Sequence, residues 1–292
     1  PFFLLFFAMC MGDCGYGILL IIIGLLIAKK KLNIAMFEGL GPIITVLGVG
    51  TTVVGFFLGT FMGIDLYNAE WMPQALKSVM IKGNVMGYDI QMVLALCIGV
   101  FHICLAMVVK AICYTKQFGF KENIATWGWL LLIVGGLIVA ILGLTVLPEN
   151  VFKWALITVG AVSALAIYIF NTPGRNPLIN IGAGLWDTYN MATGILGDVL
   201  SYIRLYALGL AGGMLGAAFN NLGLMVMGGS VEGATWQWLP FVLILVLGHV
   251  LNLAMSALGA FVHPLRLSFV EYFKNAGYEG KGVEYKPFEV KK

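Results

Sequence analysis

Apolar runs of about 20 residues, each long enough to cross a bilayer as a helix, recur along most of this 292-residue sequence. Inside lipid every backbone N–H and C=O needs a partner, which leaves only helices or a closed barrel. Barrel strands would show alternation over short segments. None is present, so the expected fold is an all-α integral membrane protein. Only 11% of residues are charged, against about 25% in soluble domains. The 38 glycines suit helices that pack backbone against backbone in a membrane.

The first stretch runs from Phe2 to Ala28, interrupted by Gly12-Asp13-Cys14-Gly15-Tyr16-Gly17 and ended by Lys29-Lys30-Lys31. The second, Ile34 to Gly63, carries Gly48, Gly55, Gly59 and Gly63; the last three recur every four residues and predict a smooth groove for a neighbouring helix. A polar loop over 64–88 follows, then spans at Ile90–Val109, Ile124–Leu147 and Val151–Phe170, and a breaker at Asn171–Pro177. Two long segments close the chain: Gly184–Met227 and Trp236–Phe273. The former would reach roughly 65 Å as one helix, so it must tilt or run past the interface. About eight transmembrane helices are expected if Gly12–Gly17 is a turn, and seven if it is not. Trp71, Trp127, Trp129, Trp236 and Trp238 near segment ends read as interfacial anchors.

Lys/Arg counts in short loops set the orientation. The basic ends are Lys29–Lys31, the 110–121 region, Arg175 and the tail over 274–292; the intervening loops are poor in basic residues. The alternation is consistent and predicts a cytoplasmic C-terminus. The chain starts at Pro1 inside an apolar run, without a basic leader, and reads as one membrane domain over 1–292, a fragment whose N-terminal part is missing. A net charge of +3 is too small to imply a nucleic-acid partner. The cysteines Cys10, Cys14, Cys97, Cys104 and Cys113 form no CxxC pair and read as packing residues. No nucleotide loop, dinucleotide glycine motif, HExxH or nucleophile elbow is present, and no cofactor or metal is expected.

Ionisable groups inside the membrane are functional suspects, because a charge at mid-bilayer costs about 2.5–3.5 kcal/mol or more. Arg204 lies roughly 25–35 Å from either end of its segment, beyond the reach of a snorkelling side chain. Its guanidinium stays charged, so it needs a wet cavity or a carboxylate such as Asp198 or Asp187. On the last segment His249, Asn252, Ser256, His263 and Arg266 fall on one helical face. That stripe would suit the wall of an aqueous half-channel or a contact with the Arg204 helix. Pro264 marks a place for a kink. Asp13, flanked by glycine, reads either as a turn residue or as a carboxylate in an ion path. His102 reads as a packing residue.

Four motifs resemble one family. Leu200-Ser201-Tyr202-Ile203-Arg204-Leu205-Tyr206-Ala207-Leu208 resembles the LSYxRLxAL signature of subunit a/I of V/A-type rotary ATPases. Gly259 through Phe273, with His263, Arg266 and Glu271, resembles that subunit's last helix. Gly280 through Tyr285-Lys286-Pro287-Phe288 is similar to its tail, and Pro1-Phe2-Phe3 with Gly12-Asp13 to Tyr16-Gly17 is similar to its first membrane motif. The resemblance implies eight spans and a stator that lies beside a rotating proteolipid (c/K) ring, joined to peripheral-stalk and central-stalk subunits. It implies two ion half-channels that couple H⁺ or Na⁺ movement to ATP synthesis or hydrolysis, in a prokaryotic cytoplasmic membrane. It places an essential arginine at Arg204, a second at Arg266 with His263 three positions earlier, and Glu271 among the candidate ion-path residues. Where eukaryotic members hold Glu, His and Glu, this chain has Asn190, Gly212 and Ser256, so the outer half-channel is expected to use Asp187, Asp198, His249 or water. A secondary transporter with a charged mid-membrane site is the alternative, and a purely structural anchor is a further one; internal repeats that would favour the transporter are not evident.

Overall fold

The computed structural model describes residues 1–29, 39–70, 72–85, 87–120, 123–145, 148–169, 177–228, 235–278 and 280. Its principal helices are α1 (Phe2–Met11), α2 (Cys14–Ala28), α3 (Gly41–Leu58), α4 (Gln74–Lys77), α5 (Ile90–Phe118), α6 (Ile124–Leu130), α7 (Gly136–Thr145), α8 (Glu149–Tyr168), α9 (Pro177–Val226), α10 (Trp238–Arg266) and α11 (Phe273–Asn275). A π-helical turn over Leu131–Gly135 joins α6 to α7, and another over Leu267–Tyr272 joins α10 to α11. Two short antiparallel hairpins, β1 (Thr60–Phe61) with β2 (Ile64–Asp65) and β3 (Asn84–Val85) with β4 (Tyr88–Asp89), occupy the loop before α5. The protein is therefore an all-α integral membrane protein. Among the described residues six helical stretches are long and apolar enough to cross a bilayer, and α1 and α2 are shorter apolar helices. Trp71, the basic pair Lys30-Lys31, the 171–176 breaker with Arg175, and the tail motif after Gly280 lie outside the described residues.

Proline and glycine set several helix limits. Pro42 sits in the first turn of α3, where its missing N–H costs no intrahelical bond. Gly12 ends α1 at φ 57 and Gly59 ends α3 at φ 73, both in the left-handed region that favours glycine. The predicted glycine groove is therefore shorter than expected. Gly48 and Gly55 lie on α3, but Gly59 is its cap and Gly63 belongs to the β1–β2 turn at φ 77. The helix partner is α2. A Cβ on Gly48 would meet the Ile21 backbone nitrogen at 2.8 Å, and one on Gly55 would collide with the Cys14 backbone. Gly17, Gly24 and Gly41 complete this backbone-to-backbone seam.

The residues group into two compact units: Pro1–Phe101 with Gly194–Ser268, and His102–Thr193 with Phe269–Lys292. In the first unit α1 is the central pin, buried from Phe6 to Met11. Its aromatic rings reach three helices: Phe2 packs on Phe101 of α5, Phe6 on Tyr202 of α9 at 5.7 Å, and Phe3 edge-on to Phe261 of α10 at 6.0 Å. At 10 residues α1 spans about 15 Å, roughly half a hydrocarbon core. In the second unit α6 and α8 meet where Gly128 faces Ala166, and α7 meets α8 where Gly143 faces Phe152. His102 is buried and stacks on Tyr272 at 4.6 Å, in line with its expected packing role.

Candidate ion-path site

The break between α1 and α2 is built around Asp13. Its carboxylate caps α2 by accepting from the backbone N–H groups of Gly15 (2.8 Å) and Tyr16 (3.3 Å). It also accepts from Met62 (2.8 Å) and Gly63 (3.0 Å) in the β1–β2 turn. Asp13 is 1% exposed. Four amide donors and the N-terminus of α2 offset the desolvation of that buried charge. The turn is pressed onto α9, where a Cβ on Gly63 would collide with the Gly216–Ala217 backbone. Met62 sits at φ 48, a left-handed conformation held by the Asp13 contact.

From this clamp a hydrogen-bonded chain crosses the first unit. Asn220 Nδ2 on α9 donates to the Met62 carbonyl at 2.8 Å, which leaves Asn220 Oδ1 to accept from His249 Nε2 at 3.0 Å. Because Nε2 carries that proton in the neutral ring, His249 Nδ1 accepts from the Tyr16 hydroxyl at 2.8 Å. Asn252 Nδ2 donates both to the Tyr16 oxygen and to the Gly212 carbonyl, each at 2.8 Å, and Ser256 Oγ donates to Asn252 Oδ1 at 3.2 Å. Each bond of the chain thus has a fixed direction, with Asn252 Nδ2 donating twice. At His249 and Asn252 the stripe on α10 meets the Arg204 helix. Residue numbers rise along α9 as they fall along α10, from Gly212 beside Asn252 to Asn220 beside His249. A cavity of about 190 Å³ lies beside Gly212 and Ser256, where the family resemblance places larger polar side chains in eukaryotic members.

Further along the two helices the satisfaction ends. Arg204 Nη1 and His263 Nδ1 are buried and have no hydrogen-bond partner among the described residues. His263 lies within electrostatic range of both Arg204 and Arg266, and Cys10 of α1 within range of Arg204. Arg266 itself is exposed at the end of α10. Buried polar atoms are normally paired, so an orphaned guanidinium nitrogen calls for a group from outside these residues. Pro264 is buried within α10, and the chain runs on helically into the π-turn that follows Arg266. π-turns of this kind are frequent at functional sites.

Asp198 is buried on the same helix as Arg204. Asp187 and Glu271 belong to the second unit. There Asp187 is exposed on α9, while Glu271 is buried in the π-turn and its carbonyl accepts from Asn275 Nδ2 at 2.7 Å. Sequence reasoning missed Tyr16 and Asn220, although an Asn-Asn pair inside an otherwise apolar stretch is a visible signal. It also missed a second cavity of about 250 Å³ against α9, lined by Asp65, Lys82, Gln91, Thr60 and Tyr206. Asp65 and Lys82 form an ion pair there, and the Tyr206 hydroxyl donates to Asp89 Oδ2 at 3.0 Å. Among the described residues no group of His, Cys, Asp and Glu has the arrangement of a metal site.

Apolar helices with a buried arginine nitrogen among them that has no partner among the described residues define a polytopic membrane protein with a charged interior site. Comparison with known proteins narrows this class. The V-type ATPase 116kDa subunit family matches over residues 188–290. The V-type ATP synthase subunit I of Borreliella burgdorferi is 30% identical over 100% of this chain and 48% of its own length. The A-type ATP synthase subunit I of Methanocaldococcus jannaschii is 31% identical over 99% of this chain and 44% of its own. That of Treponema pallidum, V-type ATP synthase subunit I 1, is 28% identical over 98% and 46%. The chain belongs to the V/A-type ATP synthase subunit I family, and it spans about half the length of the curated relatives it matches.

Proposed function

We propose that this chain is the membrane half of a rotary ATPase stator, carrying H⁺ or Na⁺ through two offset half-channels beside a rotating proteolipid ring. The observation that carries this reading is the buried Arg204 Nη1, which has no partner among the described residues. A carboxylate presented by a passing ring subunit would supply the missing acceptor. Facing lipid, that carboxylate must be neutralised by its ion, because a bare charge there is too costly. Facing Arg204, it is favoured in its charged form and gives the ion up. The guanidinium does not carry the proton, since its pKa exceeds about 12; as a fixed charge it blocks a direct leak between the half-channels.

The cavity at Asp65, Lys82, Gln91 and Tyr206 supports an outer half-channel that reaches α9 two residues from Arg204. In this reading Asp89, bound to Tyr206, serves that path beside Asp198. His263 lies within electrostatic range of Arg204 and Arg266, and Asp187 and Glu271 are further candidate ion-path residues, carried by the second unit. Asp13 and His249 shape the path by holding the helices that line it. The subunit works with the proteolipid ring and the stalk subunits, its C-terminus on the cytoplasmic side of a prokaryotic membrane. The decisive measurement is ATP-driven ion uptake by the intact complex carrying Arg204→Ala, with Na⁺ dependence of its ATPase activity recorded alongside. Uptake should fall to background while the ring still copurifies. Uptake at the wild-type rate would remove Arg204 from the mechanism.

A further inference from the structure

In the first unit the Tyr16 hydroxyl of α2 holds two hydrogen bonds to α10. Its oxygen accepts from Asn252 Nδ2 and its hydrogen goes to His249 Nδ1, each at 2.8 Å. That hydrogen has no other acceptor among the described residues. The opposite ring nitrogen, His249 Nε2, donates to Asn220 Oδ1 of α9 at 3.0 Å. This arrangement requires a neutral imidazole with its proton on Nε2, whereas an imidazolium carries a hydrogen on both nitrogens. Nδ1–H would then face the Tyr16 oxygen, and the hydroxyl hydrogen would be left in a buried site with nothing to receive it. A buried donor without an acceptor costs more than a typical hydrogen bond contributes.

The surroundings of the ring bear on whether it can change charge. His249 is partly exposed, whereas Tyr16 and Asn252 are buried. From α9, Phe219 packs on Gly248 and Asn220 bonds the ring, and neither titrates. From α2, the Tyr16 ring lies 5.9 Å from the imidazole between centroids. The charged group within electrostatic range is the Asp13 carboxylate at the head of α2. Asp13 attracts a proton to the ring, while the Tyr16 bond and the partial burial oppose it. Histidine is the side chain whose ordinary value, about 6.5, lets such a balance tip near neutral pH. The bonds from His249 Nε2 to Asn220 and from Asn252 to the Gly212 carbonyl are compatible with either charge state, so α10 stays joined to α9.

We infer that Tyr16 and His249 form an acid-released latch: protonation of the imidazole frees α10 from α2 and leaves it joined to α9. The α9–α10 pair, which carries Arg204, thereby gains freedom relative to α2. The latch rests on hydrogen-bond geometry within the first unit and stands whether or not Arg204 serves ion transport.

Hydrogen exchange of the intact complex, read by mass spectrometry at about pH 8 and about pH 5, on either side of the ordinary imidazole value, and corrected for the intrinsic rate at each pH, tests it. In wild type the protection of α2 amides should fall roughly tenfold on acidification, the scale of one stranded donor. His249→Gln keeps a donor and an acceptor without a titrating proton, so that fall should disappear. Tyr16→Phe lacks the hydroxyl, so its α2 should be weakly protected at both pH values and respond little to acid. That variant carries the test if His249→Gln does not assemble. Equal falls in wild type and His249→Gln, an acid response in Tyr16→Phe as large as in wild type, or no fall in wild type would each overturn the inference.

Discussion

The two units of this protein are held together in different ways. In the first, hydrogen bonds between distant segments run through the middle of the bundle, from Asp13 and Met62 through Asn220, His249 and Tyr16 to Asn252. In the second, bonds near helix ends include Trp127 Nε1 donating to Thr115 Oγ1 at 2.8 Å and the Tyr114 hydroxyl donating to the Gly277 carbonyl at 3.2 Å. Between those ends α6, α7 and α8 meet through apolar contacts such as Gly128 on Ala166. Lipid tails are as apolar as leucine, so apolar contacts alone specify helix rotation weakly. A directional chain of donors and acceptors fixes which face of α10 meets α9. The unit that carries Arg204 is thus the one with strongly specified helix rotation.

Substitutions can break this contrast, and the largest effect is expected at Asp13. Asp13→Ala strands the N–H groups of Gly15, Tyr16, Met62 and Gly63, and should cost about 3 kcal/mol or more. The apparent Tm of the purified complex should drop sharply, or the subunit should fail to accumulate; an unchanged Tm would show that the clamp is dispensable. Next in size is Gly55→Val, which drives a branched side chain into the Cys14 backbone. Overpacking of this kind costs about 1–3 kcal/mol, and crosslinking between cysteines placed on α2 and α3 should reveal the seam opening. Tyr16→Phe removes the link between Asn252 and His249 and should cost about 1–2 kcal/mol. It should also lower ion uptake without loss of the ring, as α10 turns relative to Arg204; full uptake would mean that apolar packing already sets the rotation. The smallest effect is expected in the second unit at Gly160, where a Cβ would meet nothing within 4 Å. Gly160→Ala should change stability by no more than about 1 kcal/mol, in the stabilising direction, as read by the same Tm.

Much of the architecture is visible in the residues. The helical segments and the isolation of Arg204 follow from hydropathy and spacing, as does the α10 stripe, because 3.6-residue periodicity places side chains on faces without reference to the rest of the molecule. The break at Gly12–Asp13 was legible too, although α1 is shorter than a bilayer-crossing span. The glycine groove was half legible: its spacing continues smoothly past residue 58, while the chain leaves the helix at Gly59, a choice made by the Asp13 clamp on the following turn. Tyr16 and Asn220 were hidden because each gains its meaning from a partner more than 100 residues away or across a turn.

Composition and periodicity alone determined that this is a helical membrane protein with one permanent charge deep in an apolar segment, since burial in lipid constrains every backbone group locally. Only the tertiary structure decided that His249 and Asn252 of the α10 stripe meet α9, that Asp13 holds four amides, and that Arg204 keeps a nitrogen without a partner among the described residues. Those outcomes depend on which acceptors lie within about 3 Å of which donors, a matter of helix rotation and depth that one-dimensional spacing does not encode.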